Sequence, residues 1–253
     1  YRDVVRIIAS TAQSLRDRGI RRGDRVAVFS ENRPEWIFAY LSVAAMGAVV
    51  VPLDAQLTEK EVAVLLSNAE ATAVCASAST APKLPRNGHH TVISFDGGSG
   101  ISFADLVSAR LGTPLPPAPE PGDLAVILYT SGTTGDPKGV MLTHGNVASN
   151  CVSLIKLGLI RPEDNILCIL PLHHTYPSMV CMIFPLSVGT TVTLLNSLKG
   201  PDILGCMVET GVSILIGVPQ LFTAFRRAIF DEIGRKPPAV RLLVRLLLAI
   251  NSL

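Results

Sequence analysis

The densest group of side chains able to do chemistry lies between residues 129 and 139, which read YTSGTTGDPKG. Its glycines let the backbone turn sharply and approach a ligand closely, and its hydroxyl side chains offer hydrogen-bond donors. Successive backbone N–H groups in such a turn form an anion-binding concavity, and a lysine adds a mobile positive charge suited to a phosphate. The pattern predicts a polyphosphate cradle formed by Thr130, Ser131, Gly132, Thr133, Thr134, Gly135 and Lys138.

This loop differs from two familiar phosphate-binding patterns. A Walker A loop requires Ser or Thr after its lysine, and here Gly139 follows Lys138. The GxGxxG fingerprint of a dinucleotide-binding fold does not occur in the sequence. The bland alternative is an ordinary glycine-rich connection between strands. It does not account for four hydroxyls, three glycines and a lysine within eleven residues.

Short apolar runs alternate with helical patterns around this loop, which indicates an α/β architecture with layered parallel sheets. Strands are predicted at 25–30, 48–53, 72–76, 124–129, 166–170, 190–195 and 212–217. Helices are predicted at 4–18, 34–47, 144–157, 178–187 and 201–210, and after the strand at 212–217 to the end of the chain. A capping box formed by Thr58 and Glu61 predicts one more helix that begins there. Five prolines make residues 112–121 an extended connector. We expect one domain over 1–253, with approximate subdomains at 1–160 and 161–253.

Composition narrows the class of protein. Hydrophobic residues make up 48% of the chain and charged residues 17%, against about 25% charged in a typical soluble domain. Sheets covered on both faces account for part of this excess, and apolar surface normally covered by further sequence accounts for the rest. A net charge of +2 gives no electrostatic case for nucleic acid. Five cysteines without a CxxC pair predict reduced thiols, mostly in the core, and no metal site.

The segment YTSGTTGDPKGVMLTHGN resembles the signature loop of the adenylate-forming superfamily, which includes acyl-CoA synthetases, luciferases and the adenylation domains of peptide synthetases. Residues 24–27, 44–53, 171–174 and 217–219 also resemble segments of this family, so the likeness covers nearly the whole chain. The run HHTYP with its apolar sequel is most similar to bacterial long-chain fatty acid CoA ligases. The resemblance implies the N-terminal part only, an incomplete α/β domain without the rest of the large domain or the small lid domain.

The resemblance also implies a reaction and its ligands. In the family this loop holds the β- and γ-phosphates of ATP while a carboxylate attacks the α-phosphorus, and the acyl-adenylate then reacts with CoA. The chain is therefore expected to be a fragment of a fatty acyl-CoA synthetase, with ATP, CoA and a fatty acid as ligands of the full-length enzyme. The adenine-binding segment, the acidic Mg²⁺ ligand and the adenylation lysine are expected beyond residue 253. The 253 residues alone are therefore expected to be inactive.

The resemblance places a second site at residues 169–182, which read ILPLHHTYPSMVCM. His174 takes the position of the family's histidine near the acyl carboxylate, where an imidazole can orient the acid or donate a hydrogen bond. His173 replaces an aromatic residue of the family, Pro177 stands where glycine is common, and Tyr176 lines the expected pocket. The alternative is that both histidines are satisfied core groups. Residues 165–201 contain no Asp or Glu, which argues against an amino-acid substrate whose ammonium group needs a buried partner.

Two other functions stay open on the sequence. One is a fatty-acyl-AMP ligase that loads a carrier protein, which this stretch of sequence does not separate from a CoA ligase. The other is a non-catalytic nucleotide- or lipid-binding module that ends near residue 253. The oligomeric state is not predicted.

The C-terminal residues bear on location. Residues 219–253 mix arginines with large apolar side chains, a pattern found in helices on anionic membrane surfaces, but we favour a helix packed on its own domain with solvated arginines. The uncharged run from 165 to 198 is interrupted by prolines, which favours buried elements over a membrane span. The expected location is cytoplasmic, with a peripheral contact at the inner face of the membrane as an open alternative.

Overall fold

The computed structural model describes residues 1–86, 88–98, 100–130 and 137–250, with the side chains of 245–246 and 248–250 left out. Its strands are β1 Arg25–Phe29, β2 Val49–Leu53, β3 Ala71–Ala76, β4 Thr91–Ser94, β5 Ile101–Ser102, β6 Leu124–Thr130, β7 Lys138–Thr143, β8 Asn165–Cys168, β9 Thr191–Leu194 and β10 Ile214–Leu215. Its α-helices are α1 Arg2–Asp17, α2 Pro34–Ala45, α3 Glu59–Asn68, α4 Phe103–Ala109, α5 His144–Lys156, α6 Thr175–Ser178, α7 Phe184–Val188, α8 Gly200–Thr210, α9 Pro219–Gly234 and α10 Pro238–Ile250.

The strands form two sheets. The larger has the order β5-β4-β3-β1-β2-β6-β7 and is parallel throughout except for the antiparallel pair β6–β7. The smaller has the order β10-β8-β9 and is parallel. Parallel strands need crossover connections, and the helices that supply them cover the sheet faces. This mostly parallel, layered α/β architecture confirms the predicted fold class.

Apolar side chains alternate between the two faces of the large sheet. Val26 and Val28 of β1 point into a core with Trp36 and Tyr40 of α2, whose rings stack at 5.5 Å between centroids. On the other face, a second core packs β1 and β2 against α3; its largest buried side chains are Phe29 and Leu53. The first core continues into the small sheet through Cys168 and Leu172, so the two sheets share buried apolar contacts.

Most predicted elements are present, with their ends shifted by at most two residues. The capping box is confirmed, because the Thr58 backbone N–H donates to Glu61 Oε2 at 2.8 Å and the Glu61 N–H donates to Thr58 Oγ1. The five cysteines are free thiols, of which Cys206 alone is only partly buried. Residues 113–120 form neither helix nor strand. The division into subdomains at residue 160 stays a prediction.

Three parts of the fold differ from the sequence prediction. Strands β4 and β5 and helix α4 were not predicted, because their apolar runs are short and surrounded by polar loop residues. The segment after the glycine-rich loop is strand β7, which pairs with β6. The helix predicted at 178–187 is divided into α6, a π-helical turn at Met179–Ile183 and α7, with Pro177 and Pro185 near the changes of geometry. Proline removes a backbone N–H and disturbs regular α-helical bonding.

Helices α8 to α10 leave large apolar side chains exposed, including Val208, Ile229 and Leu243. Between them lie arginines such as Arg226, which stacks over the Phe230 ring. Of the helices within residues 1–86, 88–98, 100–130 and 137–250, none is both long and apolar enough to cross a membrane. The membrane-surface contact of residues 219–253 stays a prediction.

Candidate active site at the carboxyl ends of the strands

The candidate site residues lie where strands of both sheets end. In an open parallel sheet, ligands bind in the crevice beyond the carboxyl ends of the strands. The glycine-rich loop follows β6, Asn32 follows β1, Asp54 follows β2 directly, and the two histidines follow β8. Strands β2 and β6 are neighbours, with Val50 opposite Val126. The loop therefore begins beside the carboxyl end of β2, which Asp54 directly follows.

The glycine-rich loop is held by a β-hairpin stem. Thr130 is the last residue of β6 and Lys138 the first of β7, and they are paired across the stem. Both are exposed. A β-carbon on Gly139 would approach Ile127 Cγ2 to 2.8 Å, so glycine allows the close approach of the two strands here. The predicted phosphate-binding residues Ser131, Gly132, Thr133, Thr134 and Gly135 lie outside the described residues.

Tyr129, next to the loop, links this stem to α3. Its hydroxyl donates to Asn68 Oδ1 at 2.6 Å, and Asn68 is the last residue of α3. Partial burial raises the pKa of the Tyr129 hydroxyl, so it stays protonated and remains a donor at neutral pH. The hydrogen bond fixes where the loop leaves the sheet.

The histidine segment is a tight turn between β8 and α6. The His174 N–H donates to the Pro171 carbonyl at 3.3 Å, and the His174 carbonyl accepts from the Ser178 N–H at 3.0 Å. The structure brings His173 and His174 together, with ring centroids 4.0 Å apart. His174 is exposed, and Tyr176 is 51% exposed. Met179 and Met182 of the following turn are buried in the core, as expected for core residues.

His173 has a different environment from its neighbour. Its side chain is 14% exposed, and its Nε2 lies 3.7 Å from Asp54 Oδ2. Burial, with a smaller contribution from the nearby His174, lowers the pKa of His173 to about 4, and Asp54 opposes this shift without overcoming it. His173 is therefore neutral at pH 7. Its contact with Asp54 is between a neutral imidazole and a carboxylate, and is not an ion pair. The two residues join the end of β2 to the end of β8.

Sequence reasoning missed Asn32 and Asp54. Each is a polar residue within three positions of the carboxyl end of an apolar strand, which is the signal that could have found them. Asn32 contacts the histidine segment directly: its Nδ2 donates to the Leu170 carbonyl at 2.8 Å, and its Oδ1 accepts from the Leu172 N–H at 2.9 Å. Asp54 contacts His173, as described above.

Other surface features do not coincide with this site. An apolar groove of about 320 Å³ lies between α1, α2 and the proline-rich connector, lined by residues such as Ile8, Leu41 and Leu115. A second, of about 500 Å³, is lined by Ile7 and Leu111 among others. In the part of the chain that the structure describes, no three His, Cys, Asp or Glu side chains come together as a metal site.

The largely buried, neutral His173 makes stability depend on pH. The folded state resists protonation down to about pH 4, whereas the unfolded chain binds the proton near the ordinary value of 6.5. Between these values the unfolded state holds more protons, so stability falls as the pH is lowered. Between pH 7.5 and 4.5 we expect the free energy of unfolding to fall less in His173→Gln than in the wild type, by on the order of 2 kcal/mol.

The measurement is urea unfolding of both proteins at several pH values between 7.5 and 4.5. His89→Gln, which changes an exposed histidine, serves as the matched control and is expected to follow the wild type. Equal acid-induced losses in the wild type and His173→Gln would show that His173 does not carry the effect.

Comparison with known proteins identifies the family. The family model described as AMP-binding enzyme matches residues 1–247. The chain belongs to this AMP-binding enzyme family. A feruloyl-CoA synthase from Amycolatopsis is 30% identical over 233 residues, which cover 88% of this chain and 44% of that protein. The chain thus spans a little under half the length of this curated relative.

Solved structures of the family share the fold. ATP-bound MatB from Rhodopseudomonas palustris has a TM-score of 0.75 at 30% identity, over 87% of this chain and 44% of that one. A fatty acyl CoA synthetase from Mycobacterium tuberculosis has a TM-score of 0.77 at 28% identity, over 88% of this chain and 44% of that one. The predicted membership of the adenylate-forming superfamily is confirmed.

Proposed function

We propose that the protein containing this chain is an AMP-forming acyl-CoA ligase whose acid substrate is a fatty acid. One observation carries the proposal: the contact between Asp54 and His173 brings the histidine segment to the end of β2, the strand next to β6 and its glycine-rich loop. A carboxylic acid held by the histidine segment would thus lie near a polyphosphate held by the loop. The names of relatives, which include a feruloyl-CoA synthase and a fatty acyl CoA synthetase, support an acid–CoA ligase.

In the proposed reaction, a carboxylate oxygen of the acid attacks the α-phosphorus of ATP. The bond from that phosphorus to the bridging oxygen breaks, and pyrophosphate leaves with the electron pair. The CoA thiolate then attacks the acyl carbon of the mixed anhydride, and AMP leaves. The protein has to position the groups and stabilise charge that develops on oxygen. Thr130, Ser131, Gly132, Thr133, Thr134, Gly135 and Lys138 are proposed to hold the β- and γ-phosphates.

The histidine segment has features that suit an acid substrate. His174 is exposed at the edge of the site and is proposed to donate a hydrogen bond to the carboxylate. Neutral His173 packs against it and adds no charge of its own. Tyr176, half exposed on α6, is proposed to line the acyl pocket. Between Asn165 and Pro201 the sequence contains no Asp or Glu to pair with a substrate ammonium, and the carboxylate described beside the histidine segment, Asp54, faces His173.

The test is acid-dependent exchange of ATP with labelled pyrophosphate, using the whole protein in which this chain occurs. Palmitate, a short-chain acid and ferulate are compared as substrates, and CoA is then added to follow thioester formation. Exchange with palmitate followed by palmitoyl-CoA supports the proposal. Acyl-AMP formation with transfer only to a carrier protein would overturn CoA as the proposed acceptor. A clear preference for ferulate would overturn a fatty acid as the proposed substrate.

His174→Ala tests the assigned role of the exposed histidine. A hydrogen bond to a charged group contributes roughly 1.5–3 kcal/mol, so we expect exchange to fall about 30-fold. His89→Ala, on an exposed loop, is the control and should keep wild-type exchange. A His174→Ala variant with wild-type exchange and an unchanged melting temperature would remove this residue from the mechanism.

A further inference from the structure

The side chain of Asn32 joins the two sheets at the candidate site. It lies in the connection between β1 and α2, and its amide bonds to backbone groups on both sides of Pro171, in the segment after β8. The Nδ2 group donates to the Leu170 carbonyl, and Oδ1 accepts from the Leu172 N–H. This orientation of the amide follows from its partners, because a carbonyl can only accept and an N–H can only donate.

These backbone groups depend on Asn32. The side chains on both sides of Pro171 are buried, Leu170 at 7% and Leu172 at 0% exposed. Pro171 has no N–H of its own and interrupts any regular backbone pairing here. A buried N–H left without an acceptor is costly. The amide of Asn32 therefore makes the hydrogen bonds to the Leu170 carbonyl and the Leu172 N–H that a neighbouring strand would make in a sheet.

A second asparagine fixes Asn32 itself. Asn196, just after β9, donates from Nδ2 to the Asn32 carbonyl at 2.8 Å. The Leu195 N–H donates to the Cys168 carbonyl at 3.1 Å, which keeps the end of β9 beside the end of β8. The connection after β1, the histidine turn and the end of β9 thus form one hydrogen-bonded joint. Its partners are 138 to 164 residues apart in sequence.

We propose that Asn32 is a positioning residue for acid binding, which holds the Leu170–Leu172 backbone so that His173 faces the end of β2 and His174 lies beside it. The inference rests on the proposed function for its catalytic consequence, but the joint itself is independent of it. Asn32 does not touch the substrate in this assignment. Its effect passes through the turn that carries the two imidazoles.

Asn32→Ala removes both side-chain bonds and is expected to loosen the turn. The groups that face His173 are His174 and Asp54, and burial is what chiefly keeps the pKa of His173 low. Once the turn is more hydrated, we expect that pKa to rise by about one unit toward its ordinary value. The measurement is NMR titration of isotope-labelled histidines in the whole protein, with the His173 signal assigned from His173→Gln.

Asn165→Ala is the matched control. Asn165 also makes two side-chain hydrogen bonds, from Nδ2 to the Thr210 carbonyl and to Oδ1 from Thr193. It is 8% exposed and lies at the opposite end of β8 from the histidine turn. We expect Asn165→Ala to lower the melting temperature and leave the pKa of His173 unchanged. A general loss of packing would affect both variants alike.

Further variants keep the test decisive if Asn32→Ala does not fold. Asn32→Asp preserves shape and the acceptor for Leu172 but loses the donor to Leu170, and Asn196→Ala removes only the outer bond. Both are expected to raise the KM for the acid, by about 10-fold for Asn32→Asp and less for Asn196→Ala, with the KM for ATP little changed. Unchanged His173 titration and unchanged KM for the acid in these variants would overturn the positioning role. If the wild type shows no acid-dependent exchange, the proposed function fails, and the His173 titration still decides the joint.

Discussion

Lys138→Ala is expected to lower ATP–pyrophosphate exchange by about 10²- to 10³-fold, the usual loss when one preorganised group that stabilises developing charge is removed. Lys138 begins β7 opposite Thr130, so its position is set by the hairpin stem while its ammonium group remains exposed. The charge is thus available at the mouth of the loop that is proposed to hold the β- and γ-phosphates. The measurement is exchange at saturating acid over a range of ATP concentrations.

Lys156→Ala is the control for this prediction, because Lys156 is an exposed lysine in the last turn of α5. It removes the same charge from the protein and should leave exchange unchanged. Lys138→Arg keeps a positive charge with a different shape and should retain part of the activity. Full activity in Lys138→Ala would mean that the loop does not bind the phosphates through this residue.

Phe29→Ala is expected to destabilise the protein by about 3–5 kcal/mol. Phe29 ends β1 and is fully buried, in the core between the large sheet and α3. Its removal leaves a cavity in the middle of the large sheet, directly before the connection that carries Ser30, Glu31 and Asn32. The free energy of unfolding is measured by urea denaturation at pH 7.5.

Phe222→Ala makes the same chemical change at a half-exposed position on α9, where Phe222 is 49% exposed. We expect it to cost about 1 kcal/mol or less. Equal losses for the two variants would contradict the assignment of the main core to the faces of the large sheet.

The fold class was predictable because its signal is local. Runs such as 26–29 and 49–53 are apolar at successive positions, which is typical of parallel strands buried on both faces. The capping box at Thr58 and the proline that opens α2 mark helix starts within a few residues of sequence. Strands β4 and β5 lacked this signal, since polar residues such as Thr91 and Ser102 interrupt their short apolar runs.

The π-helical turn shows where local patterns fail. The apolar residues of 178–187 predicted one continuous helix, yet the structure divides that stretch at Met179–Ile183. Met179, Cys181 and Met182 are all buried there. Which of several helical geometries buries them best depends on the neighbouring elements, and no spacing within the segment encodes it.

By itself, the sequence determined the alternation of strands and helices, because this depends on neighbouring residues in the chain, and it predicted the phosphate-binding loop and the candidate histidines. The tertiary structure alone decided that Asp54 meets His173, that Asn32 holds the histidine turn, and that His173 is buried and neutral while His174 is exposed. These contacts join residues more than a hundred positions apart. They follow from the order and direction of the strands, which no local pattern specifies.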